Sequence, residues 1–154
     1  MAKRAGLRAP KAMYRQVRGS LGPRREFRIT LGLRAGYGPG GRLYDLEEAV
    51  RAAHRWMMGR ARRRQTFLTG MFTRGEVLYA RSSILSDREP VAIFAGEALP
   101  VAARKLDDRQ IEAMLDELAI KMAQTLEQEE VHIAYRDRTW TLRRGALRGA
   151  RAKR

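Results

Sequence analysis

The clearest alternation of apolar and polar positions is "FRITLGLR", residues 27–34. Phe27, Ile29, Leu31 and Leu33 interleave there with Arg28, Thr30, Gly32 and Arg34. A period of two places one set against a core and the other on an open face, so this stretch is expected to be a half-buried strand. "GSLGPRRE", residues 19–26, mixes turn formers with charge and marks the boundary before it. "AGYGPGGRLY" then reads as a loop. Beyond it Leu46, Val50, Ala53 and Met57 recur on one helical face, with Ala49 and Trp56 beside it and Glu47, Arg51 and Arg55 outward. Asp45 and Glu48 have the spacing of a capping box, and the helix is expected to end near Gly59.

"TFLTGMF", "GEVLYA" and "PVAIFAG" predict three strands. A tight connection is expected around Thr73, Arg74 and Gly75, and the polar link "RSSILSDRE" precedes the third. A second long helix starts at Asp107 or Asp108, where Ile111, Met114, Leu115, Leu118, Met122 and Leu126 keep the 3.6-residue period. "VHIAY" and "TWTL" close the pattern as two strands around "RDR", or as one strand with an extension.

The order strand, helix, strands, helix, strands implies an α+β fold. Its expected form is a two-layer sandwich, an antiparallel sheet with two long helices on one face. The expected core is ferredoxin-like βαββαβ with extra hairpin strands. The length of 154 residues suits one such domain. Its expected limits are residues 26–142, between a basic N-terminal arm (1–25) and a basic C-terminal tail (143–154).

Charge changes the picture more than composition does. Of the 32 Lys and Arg, 14 lie in residues 1–25 and 143–154, leaving 18 in the domain against all 17 acids. The formal charge of +15 is therefore carried by the two ends, each with few apolar groups to offset its ordering entropy. Cysteine is absent, which removes disulfides and thiolate metal sites and fits a reducing cytoplasm. No apolar run reaches the roughly 18 residues of a membrane span, and no secretory signal is evident.

Signatures of catalysis are weak. Gly36, Gly38 and Gly41 match G-x-G-x-x-G, but Pro39 interrupts the motif and position 61, where an acid would be needed, is Ala. His54 and His132 are isolated, and no metal spacing surrounds them. The pairs Glu47–Glu48 and Asp107–Asp108 are explained by helix capping, and Glu129–Glu130 also lies at a helix end. Ser82, Ser83 and Ser86 lack a G-x-S-x-G context. No catalytic residue, cofactor or metal is expected from these motifs.

Arginine-rich, acid-free segments instead suggest a polyanion, because the guanidinium fork suits phosphate. The expectation is a non-enzymatic nucleic-acid-binding protein, for RNA or DNA, within a nucleoprotein complex, whose domain supplies geometry or contacts to other protein subunits. The phosphate contacts would be Lys3, Arg4, Arg8, Lys11, Arg15, Arg18, Arg24, Arg25, Arg60, Arg62, Arg63, Arg64, Arg143, Arg144, Arg148, Arg151, Lys153 and Arg154. Arg28, Arg34, His132 and Arg136 would face the ligand from the sheet, and the small residues Gly32, Gly70 and Ala92 hint at sheet packing in a homodimer. The first alternative is a small-molecule-binding or enzymatic ferredoxin-like domain with solubilising basic tails, its pocket lined by residues 36–42 and His132. The second is an assembly subunit binding an acidic protein surface.

Overall fold

The computed structural model describes residues 14–36, 39–80, 82–83, 86–99 and 106–145. Its elements run β1 (Glu26–Gly32), α1 (Leu46–Arg62), β2 (Met71–Ala80), β3 (Ser86–Glu97), α2 (Asp108–Thr125), β4 (Glu130–Tyr135) and β5 (Arg138–Arg143). The five strands form one sheet in the order β2-β3-β1-β4-β5, with every neighbouring pair antiparallel. This is the expected α+β sandwich, a ferredoxin-like core with β5 added as a hairpin partner of β4.

The alternation in β1 sorts the layers. Phe27, Ile29 and Leu31, with Leu33 just beyond the strand, are at most 3% exposed and meet Ala92 and Phe94 of β3 and Val131, Ile133 and Tyr135 of β4. From α2 the stripe Ile111, Met114, Leu115, Leu118 and Met122 closes on them. Both helices begin with complete capping boxes, Asp45 with Glu48 and Asp107 with Gln110. Among the described residues no helix is long and apolar enough to cross a membrane.

Three local expectations are corrected. The residues around Gly75 make no turn: β2 runs unbroken for 10 residues, and Gly75 pairs with Val91. A Cβ at Gly75 would lie 3.2 Å from Ile93 Cδ1 and 3.4 Å from Val91 Cγ2, so this glycine admits neighbouring side chains instead of bending the chain. Helix α1 continues past Gly59 to Arg62. Arg60 ties this last turn down, donating to Glu117 at 2.6 Å and to the Thr66 carbonyl at 2.6 Å, with its guanidinium 5.3 Å from the Trp56 ring centroid. The buried face of α1 is Ala49, Ala52, Ala53 and Trp56; Leu46, Val50 and Met57 lie at its margin.

One corner joins strands to helix. Asp108, at the start of α2, accepts from the Tyr135 hydroxyl at 2.8 Å and from Arg136 at 2.7 Å, with Arg25 3.5 Å away. The Tyr135 bond, with Arg136 and Arg25, holds the Asp108 carboxyl below its ordinary value. Burial and the same bond push Tyr135 up to about 12. Replacing Asp108 by Ala orphans a tyrosine that is 1% exposed, and unfolding in urea is expected to show a loss of about 1–3 kcal/mol at pH 7. Because this carboxylate's pKa is lowered on folding, its contribution is present above the ordinary value of 3.8 and is lost as pH falls through the folded value. The gap between variant and wild type narrows only in strong acid.

Candidate ligand site on the open face of the sheet

The face of the sheet opposite the helices is built by the other half of the strand alternation. Across its centre, Gly75 of β2 pairs with Val91 of β3, and Val91 with Gly32 of β1. In the next row Thr73 pairs with Ile93, Ile93 with Thr30, Thr30 with His132 of β4, and His132 with Thr141 of β5. Arg28, Thr30, His132, Ala134, Thr139 and Thr141 contribute to a shallow depression of about 260 Å³. His132 Nδ1 lies 2.8 Å from Thr141 Oγ1. Val91 is 4% exposed yet stands outside the core cluster between sheet and helices, so it is covered from the open side.

Glu89, two residues before Val91, is the unusual group here. Burial raises its pKa above the ordinary carboxylate value, Arg34 and His132 partly offset that rise, and Asp87 adds to it. Among the described residues its side chain has no hydrogen-bond or ion-pair partner. A half-buried carboxylate without a partner is costly to the fold, which makes it a candidate for a functional group.

Gln128 comes to the same place from the opposite edge. It follows α2, is 7% exposed, and donates from Nε2 to the carbonyls of Arg34 at 2.9 Å and Leu126 at 2.8 Å. A Cβ at Gly32 would collide with both Glu89 Oε1 and Gln128 Oε1, so the two oxygens converge over one glycine. Nearby, Arg34 Nη1 donates to the carbonyls of Pro39 and Gly41 at 3.2 and 3.1 Å, closing the loop after β1 around its own guanidinium. The Tyr44 hydroxyl donates to Glu127, and this bond raises the Tyr44 pKa. That contact fastens the far end of the loop to the end of α2. The arrangement sets two acceptor oxygens, one of them a carboxylate's, over Gly32 at the end of β1, with Arg34 near them.

A larger groove of about 520 Å³ lies between the end of α2 and the β4–β5 edge, with Glu129, Glu130, Arg143 and Arg144 in its lining. Its charges pair with one another: Arg143 with Glu130 at 2.5 Å and Arg144 with Glu129 at 3.7 Å. Among the described residues no group of three or more His, Asp or Glu has the arrangement of a metal site.

The residues expected to contact phosphate are dispersed. Lys3, Arg4, Arg8, Lys11, Arg148, Arg151, Lys153 and Arg154 lie outside the described residues. Arg15, Arg18, Arg62, Arg63 and Arg64 are exposed. Several of the others are not unopposed. Arg24 pairs with Glu26, and Arg25 is 20% exposed and donates to the Leu106 carbonyl at 3.0 Å. Arg60, Arg143 and Arg144 have the partners given above. Of the four residues expected on the sheet face, Arg28 and His132 line the depression and Arg34 lies near Glu89. Arg136 does not join them: it occupies the β4–β5 turn at φ 54° and reaches the helix layer through Asp108. Sequence reasoning missed Glu89 and Gln128. The available signal was Gly32, a lone glycine in a strand pattern, which marks a close approach by other groups.

No protein-family model and no curated protein matches the chain. Solved structures do. A phage SAM lyase in complex with S-methyl-5'-thioadenosine aligns with TM-score 0.60 and 16% identity over 87% of this chain and 97% of that one. The apo state of a phage SAM lyase aligns with TM-score 0.61 and 18% identity over the same shares. At these identities the likeness shows the fold. It nevertheless overturns the expectation of a non-enzymatic nucleic-acid-binding protein, since both of these similar structures are of a lyase, one of them in complex with S-methyl-5'-thioadenosine. The absence of catalytic motifs does not exclude an enzyme, because residues far apart in sequence meet across the strands of a sheet, as Gly32, Glu89 and Gln128 do here.

Proposed function

We propose that the chain is a small-molecule enzyme of the SAM lyase kind, acting on S-adenosylmethionine at the open face of the sheet and releasing S-methyl-5'-thioadenosine. The observation that carries this reading is the convergence of Glu89 and Gln128 oxygens over Gly32, two acceptors with no hydrogen-bond donor on them among the described residues. S-adenosylmethionine carries two cationic centres, the sulfonium and the α-ammonium, beside one carboxylate, so a partly desolvated carboxylate of the protein attracts either centre more strongly than one in water. The half-buried Ile93, between Thr73 and Thr30 in the next row of the same face, offers an apolar surface to a nucleoside.

Conversion of this substrate to S-methyl-5'-thioadenosine breaks the bond between sulfur and Cγ of the methionyl chain. The bonding electron pair stays on sulfur and the positive charge there is lost, while an oxygen of the substrate's own α-carboxylate bonds to Cγ in its place, so that the four-carbon fragment leaves as a five-membered lactone. The protein's part is to hold the charged chain and exclude water around it. Purified full-length protein incubated with S-adenosylmethionine is expected to yield S-methyl-5'-thioadenosine by chromatography, in step with loss of substrate. Unchanged substrate after prolonged incubation would refute the assignment.

A further inference from the structure

We infer that Glu89 and Gln128 together seat the α-ammonium group of the ligand, and that the sulfonium sits elsewhere on the face; this rests on the proposed adenosyl-ligand reading. A glutamine amide has two N–H donors on Nε2 and an acceptor-only Oε1. Both donors of Gln128 are committed, to the carbonyls of Arg34 and Leu126 at 2.9 and 2.8 Å. Flipping the amide would set its oxygen against those two carbonyls, so the acceptor end is fixed over Gly32 beside Glu89 Oε1. Neither oxygen has a hydrogen-bond partner among the described residues.

Two converging acceptors call for one group with at least two donors. An ammonium supplies three N–H bonds, whereas a sulfonium supplies positive charge and no donor at all. Charge alone would satisfy Glu89 but would leave the amide oxygen of Gln128 unpaired. The fixed amide is thus a specificity-determining element, and Gly32, having no side chain, is what lets both oxygens come together.

Calorimetry on the full-length protein separates the possibilities without any covalent step. S-adenosylhomocysteine carries the ammonium and a neutral sulfur, its deaminated analogue keeps the carboxylate without the ammonium, and S-methyl-5'-thioadenosine has neither. The expected order is S-adenosylhomocysteine at least about tenfold tighter than the other two, the increment of one charge-assisted hydrogen-bonded seat. In Glu89→Gln that advantage falls to within about twofold while S-methyl-5'-thioadenosine binds as before, and Gln128→Met, checked for folding by its thermal transition, does the same. Equal affinity of the wild type for all three ligands, or equal weakening of all three in Glu89→Gln, overturns the seat while leaving the adenosyl reading intact. Binding of none of them overturns both.

Discussion

Replacing Glu89 by Gln is expected to lower kcat/KM for S-adenosylmethionine by about 10- to 100-fold, chiefly through KM. The variant keeps the shape of the side chain and removes its charge, so it deletes a charge-assisted contact worth about 1.5–3 kcal/mol without opening a cavity. Affinity for S-methyl-5'-thioadenosine, which is neutral, should hardly change. The same substitution is not expected to weaken the fold. Burial raises the Glu89 pKa, so its stabilising contribution is fully present only below the ordinary value of 4.5 and is lost as pH rises through the folded value. At pH 7 the ionised carboxylate is therefore a burden that glutamine lacks, and the melting temperature of the variant should equal or exceed that of the wild type. Activity lost together with stability would instead mark Glu89 as structural.

The largest effect on stability is expected at Leu118, in the middle of α2 and fully buried between helix and sheet. Truncation to Ala removes apolar contacts on a helix that packs against α1, β1 and β4, and the cavity cannot close without moving one of them. The expected loss is about 2–5 kcal/mol, which for a domain of this size lowers the thermal midpoint by about 5–15 °C. Leu118→Met, which conserves volume, should recover most of the difference.

Leu118 also shows which features could be read from the chain. Its periodicity with Ile111, Leu115 and Met122 is local, as are the caps at Asp45 and Asp107, and these suffice to define the helices and the layering of the sandwich. The site is not local. Gly32, Glu89 and Gln128 belong to β1, β3 and the turn after α2, and they meet only because the split βαβ topology places β1 between β3 and β4. Charge misled for the same reason. Residues 1–25 and 143–154 contain no acid, yet the fold brings Asp108, Glu130 and Glu129 from elsewhere in the chain to Arg25, Arg143 and Arg144. A count of unopposed cations along a sequence says little about cations on a surface. Gly75 was misread because a glycine flanked by Arg74 and Glu76 resembles a turn, whereas in β2 its missing side chain is filled by Ile93 and Val91.

The most direct measurement is a crystal structure of the full-length protein grown with S-methyl-5'-thioadenosine. The account predicts nucleoside density on the open face of the sheet, over Gly32 and within reach of Glu89. Density confined to the groove between α2 and β5, or to the helix layer, would contradict it.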